Sequence, residues 1–120
     1  MDKITVKVHE LYRISDSLNK LISQDIEYPV RIAYKLYRMN EEINEMTRYV
    51  YERLATVIDS ENMANNRLTE HERAVYDATM NSDIELTPFD FEEKLIFSND
   101  KVKLTVEDVT LIKCLFKSDE

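Results

Sequence analysis

A chain of 120 residues with 43% hydrophobic and 33% charged side chains has the make-up of a single folded domain, well outside the disordered range. Its net charge of −8 argues against nucleic acid or an anionic membrane as a direct ligand, and one cysteine rules out an internal disulfide, which suits a reducing cytoplasm. Glycine is absent, which removes the Walker loop, the dinucleotide fingerprint and the serine-hydrolase elbow, each of which needs glycine where backbone meets phosphate or turns sharply.

Along the chain, "ITVKV" alternates Ile4, Val6 and Val8 against Thr5 and Lys7, the pattern of a short half-buried strand. "HELYRISDSLNKLISQ" then sets Leu11, Ile14, Leu18, Leu21 and Ile22 at helical spacing, predicting a helix over 9–24. Pro29 disfavours helix at Tyr28 but suits the first turn of a new one. From Val30 to about Ile58 no Gly or Pro interrupts a second helix, roughly 40–45 Å long. Its residues Ile32, Leu36, Met39, Ile43, Met46, Val50, Leu54 and Val57 form a heptad-like stripe, longer than the first helix can cover in an antiparallel hairpin.

"DSENMANNR" reads as a polar loop. Thr69 followed by Glu72 is a capping box opening a third helix. From Ile84 the period changes to two, with Ile84 and Leu86 before Pro88 and Phe89 and Phe91 after it; Pro88 places this segment at a sheet edge or bulge. "KLIFSNDKVKL" predicts a β-hairpin pairing Leu95–Phe97 with Val102–Leu104. Thr105 and Asp108 cap a terminal helix with Val106, Val109, Ile112 and Phe116 inward, and Cys114 in "LIKCLF" is expected to be buried. The predicted fold is therefore α+β, mainly α: a helical hairpin with one long helix at about 30–58, a small antiparallel sheet that the N-terminal strand joins, and a C-terminal helix. Residues 1–120 form one domain in this reading, with 1–58 neutral and 59–120 carrying all the net negative charge.

Chemistry finds little footing. His71 between Glu70 and Glu72 lacks the i, i+3 or i+4 spacing that puts metal ligands on one helix face. Glu41, Glu42 and Glu45 share a face with Arg38 and Arg48 and form a solvated charge row, not an acid–base pair. No calcium-loop spacing occurs, and no nucleophile has a base nearby in sequence. The expectation is a non-enzyme without metal or cofactor.

Tyrosine is the stronger signal, with seven Tyr and no Trp. Tyr34, Tyr37, Tyr49 and Tyr51 flank the stripe; tyrosine is enriched where proteins meet because its ring buries area while its hydroxyl keeps a partner, and it is as common at the edge of an ordinary core. The interface candidates are these four, Ile43 and Met46 on the stripe, and the acidic Asp83, Glu85, Asp90, Glu92 and Glu93.

"LNKLISQDIEYPVRIAYKLYRMNEEINEMTRYVYERL" resembles the front half of a family of small, mostly uncharacterised proteins encoded by tailed phages and prophages. "DIELTPFDFEEKLIFSNDKVKLTVEDVTLIKCLF" resembles that family's tail, a β-rich segment followed by Thr/Ser-x-x-Asp opening a final helix. The resemblance implies a phage origin, with bacterial host cytoplasm or the virion as its location, and carries no functional residue. The function expected is protein binding, sharpened to an acidic inhibitor or adaptor of a host or defence protein. The alternative is a structural or assembly component of the virion, its helical stripe packing against copies of itself, as a homo-oligomer through the long helix, or against another particle protein.

Overall fold

A computed structural model of the chain describes residues 3–117. Strand β1 (Ile4–Lys7) runs without a loop into α1 (Val8–Ile22), and an extended connection leads to α2 (Val30–Ala55). A short helix α3 (Ser60–Ala64) precedes α4 (Glu70–Met80), which turns into β2 (Asp83–Leu86). The chain closes with a single helical turn α5 (Lys94–Phe97), then α6 (Val106–Ile112) tightening into a 3₁₀ turn at Lys113–Leu115. The fold is mainly helical with one small antiparallel sheet, in which β1 pairs with β2 in the register Ile4 opposite Leu86 and Lys7 opposite Asp83. No helix among the described residues is long and apolar enough to cross a membrane.

α1 and α2 form the expected hairpin, and the long stripe of α2 is used inside the chain. Ile32, Leu36, Met39, Ile43, Val50 and Leu54 are all buried. α1, at 15 residues against 26 for α2, covers only part of this length. The rest is covered from the second half of the sequence. Leu86, Phe89, Phe91, Ile96, Ile112, Leu115 and Phe116 complete the main core with Ile32 to Ile43. Around Val50, Leu54 and Ile58 a second core takes Met63, Leu68, Val75, Tyr76 and Met80 from α3, α4 and their connection. Helix α2 ends at Ala55, so Val57 falls in the turn beyond it and is exposed while Ile58 points inward.

The supposed loop after α2 is ordered by side chains. Asp59 caps α3, its carboxylate accepting from Glu61 N at 2.9 Å and Asn62 N at 3.2 Å. Asn66 takes the left-handed conformation at φ 53°, the role glycine would fill in most chains.

The predicted hairpin at 95–104 is a correction. Phe97 N donates to Glu93 O at 2.9 Å, closing a helical turn, so Ile96 is buried and Leu95 is turned out to solvent. A three-residue apolar run has too short a period to separate strand from helix. The second half of that segment satisfies its backbone elsewhere: the Gln24 side-chain amide donates to Lys103 O at 2.6 Å and accepts from Lys103 N at 2.8 Å. Phe89 and Phe91 join no sheet with β1; Phe89 N donates to Leu115 O at 2.6 Å and Lys117 N to Phe91 O at 2.9 Å. This pairing gathers Phe89, Phe91, Phe97 and Phe116 into one aromatic cluster, with Phe89 and Phe91 rings stacked at 4.8 Å.

Two further expectations fail at the C-terminus. Val106, in the first turn of α6, is 85% exposed, because the packed face begins only at Val109 and Ile112. The 3₁₀ turn then rotates Leu115 and Phe116 inward and leaves Cys114 exposed.

Candidate interaction surface

The sequence-level interface candidates divide sharply once folded. Ile43 is fully buried in the main core and Met46 is half-buried against it, so both belong to the interior, contrary to expectation. Assembly through the apolar stripe therefore has no surface to use. The four tyrosines lie 54–59% exposed on a helix whose inner face is already filled. The helical period puts Tyr34 and Tyr37 on the outer face of α2, their ring centroids 6.5 Å apart. A hydrogen bond with the Glu41 carboxylate raises the Tyr37 phenol above its usual pKa, and the glutamate's charge adds to the effect.

Tyr49 and Tyr51 leave the helix on opposite flanks. Tyr49 carries Arg53, whose guanidinium lies 5.7 Å from the ring centroid and donates to the phenol oxygen at 3.1 Å. On its flank a groove of about 460 Å³ runs between α2 and α4, with Val8, Val57 and Ile84 in its wall. Tyr51 borders a second groove of about 560 Å³ with His9, Tyr12, Met63, Tyr76 and Met80. α4 thus sits between two clefts, held to the hairpin by the half-buried Val75, Tyr76 and Met80, while its one fully buried residue, Glu72, faces α3.

Glu72 is the polar residue whose role sequence reasoning missed. The capping box with Thr69 was legible, but the same carboxylate also accepts from Asp59 N at 2.8 Å and from Asn62 Nδ2 at 3.0 Å. These donors lower its pKa, the Thr69 and Asp59 backbone N–H groups most, and fasten the start of α4 to the start of α3. No spacing rule predicts donors at Asp59 and Asn62; they meet Glu72 only because α3 folds back. The neighbouring His71 is exposed, as is His9. Among the described residues no group of three His, Cys, Asp or Glu side chains could hold a metal ion.

The acidic candidates are exposed or half-exposed, and four of the five have cationic neighbours. Asp83 pairs with Lys7 at 2.7 Å and Glu85 with Lys3 at 3.9 Å across the two strands. Asp90 pairs with Lys35, whose hydrogen bond holds the carboxyl below its usual range, and Glu92 lies 2.8 Å from Lys94. Glu93 caps α5 in helical conformation without a side-chain capping bond. The acidity of the second half is thus partly answered by lysines of the first. The tyrosine-bearing outer face of α2 is open to solvent along Val30, Tyr34 and Tyr37.

The chain matches no protein-family model, no curated protein and no solved structure. A second capped contact, at Asp108, shows how the acidic half docks without a partner. This carboxylate accepts from Lys20 Nζ at 2.8 Å, Ser17 Oγ at 2.9 Å and Thr105 N at 3.1 Å, joining α6 to α1 and pushing its pKa far down. The carboxylates that fold the chain and the face left free on α2 are therefore different parts of the molecule.

Proposed function

We propose that the chain is a non-enzymatic protein-binding module of the kind encoded by tailed phages, acting in the bacterial host as an inhibitor or adaptor of another protein. The observation that carries this reading is the exposure of Tyr34 and Tyr37 on the outer face of α2, beside Val30, which is 84% exposed. Large aromatic side chains held on a rigid helix contribute much contact area at little conformational cost, and they recur as anchors at protein interfaces. The acidic segment 83–93 serves as a rim in this reading. Its paired carboxylates can exchange their lysines for a partner's at small cost, because exposed ion pairs contribute little stability.

The test is affinity capture of the tagged chain from bacterial lysate, with and without phage infection, read by mass spectrometry against a Tyr34→Ala/Tyr37→Ala variant. Both rings are exposed, so the variant should melt close to wild type and lose the stoichiometric partner. A variant that melts normally and retains every partner refutes the assignment of this face.

A further inference from the structure

We infer that the partner of the α2 outer face is a second copy of this chain, with the two α2 helices packed antiparallel about a two-fold axis. This rests on the reading of that face as a docking surface, and it places a second copy there in the host protein's stead, so that a host protein meets the pair elsewhere. Val30, Tyr34, Tyr37, Glu41, Asn44 and Arg48 recur along the outer face at alternating steps of four and three, the repeat that keeps two helices in contact along their length. It lies opposite the stripe that fills the core and runs on to Tyr51 and Ala55, with Glu41 the sole half-buried member of an otherwise exposed series.

Charge selects the orientation. A parallel pair would set Glu41 against the partner's Glu41 and Arg48 against the partner's Arg48, like charges in contact layers. In the antiparallel pair each layer is complementary. Tyr37 meets the partner's Arg48, a ring under a guanidinium; Glu41 meets the amide of the partner's Asn44; Tyr34 meets the partner's Tyr51. One flank of the same stripe reads Arg31, Arg38, Glu45, Glu52 at seven-residue steps. Antiparallel packing sets Arg31 opposite the partner's Glu52 and Arg38 opposite the partner's Glu45, and the two-fold axis makes each pair twice.

This charge order works against the lone helix. Arg31 in the first turn opposes the helix dipole, and in the last turn Glu52 does so beside Arg53, which favours it. Inside one chain these side chains find only modest use. Arg48 Nε lies 3.9 Å from Glu52, both exposed, and Arg31 lies close enough to Asp90 to help lower its pKa. A second copy answers all of the flank at once.

The experiment uses the full chain, purified, in sedimentation velocity from about 5 to 500 μM at low salt, since a two-helix contact of this length falls at the weak end of specific interfaces. Wild type should move from 14.3 kDa toward twice that mass as concentration rises. Arg38→Glu should weaken association about tenfold by facing the partner's Glu45 with a like charge. Arg38→Glu/Glu45→Arg should restore it. Positions 38 and 45 stand two turns apart, about 10 Å on one helix, so the restoration reports pairing between copies. Both sites are exposed, and a thermal melt of each variant confirms that folding is kept. Association unchanged by Arg38→Glu, or a double swap that fails to restore it, overturns the inference. A wild type that stays at 14.3 kDa at every concentration, while Tyr34→Ala/Tyr37→Ala still loses its lysate partner, overturns self-pairing and leaves the docking face standing. A monomer whose lysate capture ignores the tyrosine changes overturns both.

Discussion

Ile43 separates a core stripe from an assembly stripe, and the structure sets the size of the effect. Its side chain is 0% exposed and packs in the cluster that joins α1, α2 and the C-terminal aromatic residues. Ile43→Ala removes three carbons, about 2.4 kcal/mol of transfer free energy at about 0.8 kcal/mol per methylene. The void left among Leu36, Met39 and their neighbours adds to this, since interiors relax only in part, for a total of about 3–4 kcal/mol. For a chain of 120 residues the unfolding entropy near the midpoint is about 0.25 kcal/mol per degree, so the melting temperature should fall by about 12–16 °C. The assay is circular dichroism at 222 nm during a thermal ramp, with Tyr34→Ala on the same helix as the control. The exposed tyrosine should cost about 0.5 kcal/mol or less, a shift of about 2 °C. Equal, small shifts in the two variants would refute the placement of the stripe in the core.

Acid should unfold the chain through identifiable carboxylates. Glu72 and Asp108 have folded pKa values below their reference values of 4.5 and 3.8, so each contributes stability that is fully present above its reference value and is lost as pH falls toward the folded one. The melting temperature should hold down to about pH 5 and drop below about pH 4, less steeply in Glu72→Gln; a midpoint that rises on acidification contradicts this. Cys114 is exposed, yet partial burial of its surroundings pushes the thiol above its reference value of 9.0. Iodoacetamide should therefore label the native protein slowly at pH 7.5 and faster as pH rises past 9, and labelling at the rate of a free cysteine at pH 7.5 argues otherwise. Gln24→Ala removes both hydrogen bonds to Lys103 and should cost about 1 kcal/mol, with faster hydrogen exchange confined to 99–105; protection unchanged there would show that the segment is held by something else.

The helices α1 and α2 were legible from the residues alone, because a 3.6-residue period over three or more turns has no competing interpretation; α4, whose apolar face is weak, was legible from the capping box of Thr69 and Glu72 at its entry. The antiparallel sheet was legible in part: Ile4 to Lys7 and Asp83 to Leu86 alternate cleanly and do pair. Local pattern could not reveal what covers a face once it is apolar. The stripe of α2 looked too long for the chain because its cover comes from Phe89 to Phe116, residues that approach only after the chain has turned back. The same long-range contacts decide that Leu95–Phe97 coils instead of extending, since Ile96 is the side chain that reaches the core, and they turn Cys114 outward by seating Leu115 and Phe116. The four tyrosines were identified from composition and helical spacing, but their exposure was settled by packing, which filled one side of α2 and left the other open. Periodicity specifies a face; only the distant residues that pack against it, or fail to, determine whether it becomes interior or surface.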